Sequence, residues 1–185
     1  MARPGWHSRG YLPHCNEDGL VQHVVFRLAD SLPAAAIHKM ALLDKVERYS
    51  RCDLLLDAGR GEGILKRPEA AQIVVDTLLC FDGQRYALIA WRVMPNHVHV
   101  VVEPRGEHLL GQIVKSWKAF SAARINELTE RAGRLWARDY FDRFSDRTST
   151  WAQPSTTLSN PVAAGLCGQP HDWPFSSAAA RREAQ

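Results

Sequence analysis

The apolar positions divide the chain into short alternating runs and longer stretches of helical spacing. Residues 20–28 are β-branched and alternating, the pattern of a strand. Ser31 can cap a following helix with Pro33 in its first turn; Ala36, Ile37, Met40, Leu43 and Val46 form its core face, and it ends near Ser50. Residues 57–63 are glycine-rich, but no Lys-Ser/Thr follows and the spacing fits no nucleotide fingerprint, so the stretch reads as a loop. Residues 67–81 predict a second helix with Ala70, Ile73, Val74, Thr77 and Leu78 inward, and Asp82-Gly83 is a turn into a strand pair. Residues 108–131 are the clearest helix, with Leu109, Leu110, Ile113, Val114, Trp117, Phe120, Ile125 and Leu128 in one apolar stripe. Residues 135–144 predict the last strand, and residues 1–20, without periodicity, an arm or loop. Strand, helix, strand pair, helix, strand describes an α+β chain: a ferredoxin-like antiparallel sheet with helices packed on one face.

The strand pair holds the chemistry. Read as a strand after the turn at Pro95, residues 97–104 send Val98, Val100 and Val102 into a core and His97, His99, Val101 and Glu103 the other way. Two imidazoles two residues apart on one face can share one metal ion. A bare His-x-His is also compatible with a half-buried strand carrying two incidental histidines, so its surroundings must decide.

Composition narrows the setting. A chain of 185 residues, 45% apolar and 23% charged, is one globular domain, and a net charge of +3 is only a mild lean toward polyanions. No apolar run reaches membrane-spanning length and the first residues lack a signal peptide's hydrophobic segment. Cys15, Cys52, Cys80 and Cys167 are far apart, which implies reduced thiols in a cytoplasm rather than a disulfide framework.

Met94-Pro95-Asn96-His97-Val98-His99 resembles the signature of the single-strand DNA transposases of the His-hydrophobic-His superfamily, most closely the REP-associated tyrosine transposases. Supporting resemblances include Arg9-Gly10-Tyr11-Leu12-Pro13-His14, Ser116-Trp117-Lys118-Ala119-Phe120, Asn160-Pro161-Val162 and Asp172-Trp173-Pro174-Phe175-Ser176-Ser177. The resemblance implies the same ferredoxin-like fold in one domain, with residues 1–20 as a hairpin-recognising arm and 161–185 as a tail. Its implied partner is single-stranded or hairpin DNA, with no membrane. Its cofactor would be Mg²⁺ or Mn²⁺ on His97, His99 and Asn160, a donor set that could also take zinc in vitro. Arg9 and Tyr11 are then candidates for DNA contact, as are Lys115, Lys118 and Arg124 on the polar side of the long helix, where charges are otherwise simply solvated.

In that family a tyrosine four residues before the Asn, on the same helix face, attacks the phosphorus. Here the position is Thr156, whose hydroxyl lacks a phenol's acidity and reach. Residues 145–160 read as a degraded form of that helix: 147–159 are rich in poor helix formers, with Pro154 among them, and carry none of the resemblance found on either side. The bounded loss suggests a local reading-frame change: one permitted codon choice for residues 148–160, shifted by two bases, encodes the Tyr-Ile-Glu expected there. Tyr140 is the nearest other tyrosine, but relatives that keep the helix tyrosine also have it, which makes it a weak alternative. The sequence therefore implies transposase-type DNA cleavage and strand transfer, impaired in this copy. The alternatives are a DNA-hairpin-binding protein that does not cut and a histidine-metal hydrolase using water.

Overall fold

The computed structural model describes residues 6–8, 13–15, 20–145 and 160–183. The elements in chain order are β1 (Trp6–Ser8), β2 (Pro13–Cys15), β3 (Val21–Arg27), α1 (Ala34–Ala41), α2 (Lys45–Asp57), α3 (Pro68–Leu79), β4 (Tyr86–Val93), β5 (His97–Pro104), α4 (Leu110–Leu128), β6 (Phe141–Ser145), α5 (Asn160–Ala163) and α6 (Ser177–Glu183). β3 to β6 form one antiparallel sheet in the order β4-β5-β3-β6. That order, with α3 before β4 and α4 before β6, is the predicted ferredoxin-like α+β arrangement.

The β-strand period sorts the residues between two faces. Val24 and Phe26 of β3 and Val98, Val100 and Val102 of β5 pack with Ala70, Val74 and Leu78 of α3 and with Leu110, Ile113, Val114, Trp117 and Ile125 of α4. These two helices lie on one face, as expected. The opposite face is covered as well. Val25 of β3 packs with Met40 of α1 and Cys52 and Leu56 of α2. The arrangement of helices on one face alone is therefore corrected, because Cys52 and Leu56 stand four apart on α2 and give it an apolar stripe of its own.

The helix expected to run to about residue 50 is two helices. Leu42 turns outward at 88% exposure, and Asp44 restarts the chain by accepting the Glu47 N–H on its Oδ1 at 3.0 Å, the bond of an N-cap. Arg48 donates to the carbonyls of Met40 (2.9 Å) and Leu43 (2.7 Å), satisfying groups that the end of α1 leaves open. In α4, Phe120 is 58% exposed, and Leu109 and Leu128 are exposed too. Ser121 takes the inward position instead, its hydroxyl accepting from Trp136 Nε1 at 3.0 Å. The last strand begins at Phe141 rather than 135. Trp136 makes a single bridge to Leu28 and sets its ring edge-on to Phe26 at 4.9 Å, and the chain leaves the ladder before returning. Within the expected arm, β1 and β2 pair in antiparallel register, strands too short to leave a periodic signal.

The glycine-rich stretch is a loop, as read. Gly61 has φ +88°, and a Cβ there would meet Asp30 at 3.0 Å, so close approach explains it without any phosphate. The C-terminal segment docks on β4, the edge strand. Val93 N–H donates to the Phe175 carbonyl (2.8 Å), Trp91 N–H to Ser177 Oγ (3.1 Å), and Trp173 Nε1 to the Val93 carbonyl (2.9 Å). An edge that would otherwise invite pairing is thus closed.

Candidate metal centre and nucleic-acid interface

β5 pairs with β3 so that His99 stands opposite Val25 and His97 opposite Arg27. Both imidazoles therefore leave the sheet on the face beneath α2. Their ring centroids are 4.8 Å apart and neither ring has exposed surface. β4 contributes through an irregularity between Leu88 and Ala90, which shifts the register so that Arg92 lies opposite His99 and Trp91 opposite Val100. An extra residue in a strand reverses the direction of every later side chain, and here it brings Arg92, 1% exposed, onto the histidine face.

Hydrogen bonds set the two rings. Asn96 donates its Nδ2 to the carbonyls of Leu56 (3.2 Å) and Arg60 (2.9 Å), which leaves its Oδ1 to accept from His97 Nδ1 at 2.7 Å. The proton on His97 therefore sits on Nδ1, and Nε2 carries a lone pair. His99 Nδ1 is 3.1 Å from His23 Nε2, a neighbouring imidazole on β3. With His99 as the donor of that bond, its Nε2 is likewise bare. Nε2 of both His97 and His99 is buried without a hydrogen-bond partner.

Electrostatics hold these rings neutral. Burial, and after it the Arg92 guanidinium, press the pKa values of His97 and His99 well below the ordinary imidazole value, and burial with Arg92 and Arg143 brings His23 down to about 3. Two acidic groups on α2 face the same region. Burial pushes the Asp53 carboxyl up to about 7 against the pull of Arg92, and it raises Asp57 as well. Asp57 Oδ1 lies 3.7 Å from His97 Nε2.

Paired neutral imidazoles, each with one nitrogen engaged and the other buried and open, fit the requirement of a shared divalent cation. Ligand histidines are held by a hydrogen bond from the second ring nitrogen, as His97 is by Asn96. Among the described residues, no three His, Cys, Asp or Glu side chains already converge on one point. Asn160 begins α5, and its side chain is not among those described. Thr156, Arg9 and Tyr11 lie outside the described residues.

Residues 79–150 match the family model described as Transposase IS200 like. That stretch is similar to the IS200-like transposases. The matched stretch contains Asn96, His97, His99, Arg92 and the whole of α4. No curated protein matches the chain significantly. A solved REP-associated tyrosine transposase bound to a REP hairpin superposes with a TM-score of 0.57 at 16% identity, over 89% of this chain and 79% of that one, which shows a shared fold. A candidate transposase from Deinococcus radiodurans R1 aligns with a TM-score of 0.41 at 20% identity, over 83% of this chain and 95% of that one.

The other expected residues lie elsewhere in the fold. Tyr140 packs with Val24, Phe26 and Trp136 in the core across the sheet from the histidines. Lys115 and Lys118 line a groove of about 410 Å³ with Arg134, Arg138 and Tyr140. Lys118 Nζ donates to the Arg138 carbonyl (2.8 Å), and burial brings its pKa down to about 8. Arg124 is exposed farther along α4 and does not line the groove. His23, Arg92, Asn96, Asp53 and Asp57 were not singled out from sequence as site residues. Asn96 stands inside the quoted Met94–His99 signature, and the two aspartates leave a spacing of four that becomes one helix face once α2 is extended to residue 57. Among the described residues no helix is long and apolar enough to cross a membrane, and Cys52, Cys80 and Cys167 are free thiols.

Proposed function

We propose that the chain binds single-stranded or hairpin DNA, as an IS200-like transposase of the cytoplasm, with a Mg²⁺ or Mn²⁺ site built on His97 and His99. The observation that carries this reading is the pair of buried, partnerless Nε2 atoms on one strand face, inside the stretch that matches the family. A solved relative in fold was captured on a REP hairpin, which supports a hairpin as the ligand. The groove bearing Lys115, Lys118, Arg134 and Arg138 offers the positive charge that phosphates need.

A divalent cation at such a site polarises a phosphate oxygen and stabilises the charge that develops during displacement. The chain's own residues prepare that site. Asn96 fixes the His97 tautomer, His23 holds the His99 ring, and Arg92 with burial keeps both imidazoles unprotonated and able to ligate. Asn160 is the proposed third ligand by resemblance.

A second reading, a hairpin-binding protein that does not cut, is favoured by a specific observation. His97 and His99 have no exposed surface beneath α2, so a scissile phosphate reaches them only if the end of α2 yields. Thr156 at the position of the nucleophile points the same way. Incubating a labelled hairpin with the protein and Mg²⁺ or Mn²⁺ separates the possibilities. A covalent adduct identifies active transposase chemistry, free nicked product a hydrolase, and a shifted, intact band the binder. No binding to hairpin or single strand refutes the proposal.

A further inference from the structure

Asp57 ends α2 directly above His97. Its Oδ1 and the His97 Nε2 are both buried without a hydrogen-bond partner, and they face each other at 3.7 Å. The separation exceeds a hydrogen bond. Because His97 gives its proton to Asn96 Oδ1, Nε2 presents a lone pair. A carboxylate oxygen and a lone-pair nitrogen are both acceptors; a proton or a cation between them reconciles the two in a dry interior, and 3.7 Å is too long for a shared proton. A single water donating to both would set them roughly 4.4 Å apart, given hydrogen bonds of about 2.8 Å. Two ligands of one metal ion, each bound at about 2.0–2.2 Å, are held roughly 3 to 4 Å apart.

The placement is also fixed from below. Asn96 Nδ2 holds the carbonyls of Leu56 and Arg60, on either side of Asp57, while Asn96 Oδ1 holds His97. One buried amide therefore sets the carboxylate-bearing helix end and the imidazole relative to each other. The buried guanidinium of Arg92 faces the same region and would oppose a dication, and Asp57 supplies the opposite charge. We propose that Asp57 is a ligand of the cation on His97 and His99, making a two-histidine, one-carboxylate site. This rests on the metal reading above and adds a carboxylate to its donor set. Such a set leaves positions open for phosphate oxygens, and a carboxylate suits Mg²⁺ or Mn²⁺ better than an amide does. The three side chains do not yet converge on one point, so binding requires them to draw together.

The test is Mn²⁺ binding to the full chain, read by calorimetry and by the loss of the free Mn²⁺ electron-spin signal, with no DNA present. Asp57→Asn is expected to weaken binding at least tenfold, and the His97→Ala/His99→Ala double variant to abolish it. If Asp57→Asn fails to fold, Asp57→Ser, which retains a side chain suited to a helix end, gives the same comparison. Binding by both Asp57 variants within twofold of the unaltered chain, with loss only in the double histidine variant, overturns the role of Asp57 and leaves the histidine site standing. Failure of the unaltered chain to bind, or undiminished binding by the double variant, overturns both.

Discussion

Replacing Asn96 by alanine should damage both the fold and the site. Asn96 is 1% exposed and makes three contacts: two donated to the Leu56 and Arg60 carbonyls and one accepted from His97 Nδ1. The largest loss is the acceptor of a ring N–H that has no solvent to turn to, worth about 1–3 kcal/mol. The two carbonyls add about 1 kcal/mol between them, since Arg60 is exposed and water can replace that bond. The total is about 3 kcal/mol. For a domain of this size that lowers the melting temperature by about 6–12 °C. Urea unfolding with EDTA present measures the first quantity, and a thermal melt the second. Mn²⁺ affinity should also fall by about 10–100-fold, as when other groups that orient a metal-binding histidine are removed. Asn96→Asp keeps an acceptor for His97 and loses the donors, so it should retain more metal affinity than Asn96→Ala. A loss below about 1 kcal/mol together with unchanged Mn²⁺ affinity would show that Asn96 neither clamps α2 nor orients His97.

Further outcomes follow from the same geometry. The histidines titrate low in the folded chain, so the unfolded chain binds more protons once pH falls below about 6.5, and stability drops as pH falls. The raised Asp53 and Asp57 have the opposite sign, Asp53 gaining stability toward acid through its folded value of about 7, but three histidines outweigh two carboxyls, so the metal-free protein should lose stability between pH 7.5 and 5.5; urea titrations at the two pH values that show a gain would reverse the assignment. Hairpin binding should weaken steeply with salt, and Lys115→Ala should reduce the slope of log affinity against log salt by about 0.7–0.9; an unchanged slope would remove the α4 groove from the interface. The chain as written should form little or no covalent DNA adduct with metal present, and Tyr140→Phe should change nothing, because Tyr140 lies across the sheet. A robust adduct lost on Tyr140→Phe would reverse that. The gene's nucleotide sequence tests the reading-frame account, which codons incompatible with Tyr-Ile-Glu in the shifted frame would refute.

The main course of the fold was legible because its elements are periodic. β3 and β5 bury the residues their spacing marks, and α3 buries all of its own but Ile73, which is half-buried. What escaped depended on events that periodicity does not record. The split at residues 42–44 turns on one Asp44 cap and the arginine that closes α1, and the exposed Phe120 gives way to Ser121 because Trp136, far along the chain, needs an acceptor. The site shows the same division. His97 and His99 could be placed on one face from their spacing alone. Arg92 could not, because simple alternation puts it on the wrong side of β4 and only the irregularity after Leu88 corrects it. His23 and Asp57 meet the histidines through pairing and packing between distant segments, which no local pattern encodes.

The central claim is that His97 and His99 hold one divalent cation. Anomalous diffraction from crystals soaked in Mn²⁺ tests it most directly. The account predicts one strong peak within about 2.0–2.3 Å of Nε2 of both rings. A peak elsewhere with none between the imidazoles, or no peak at a Mn²⁺ concentration that saturates binding in solution, would contradict it.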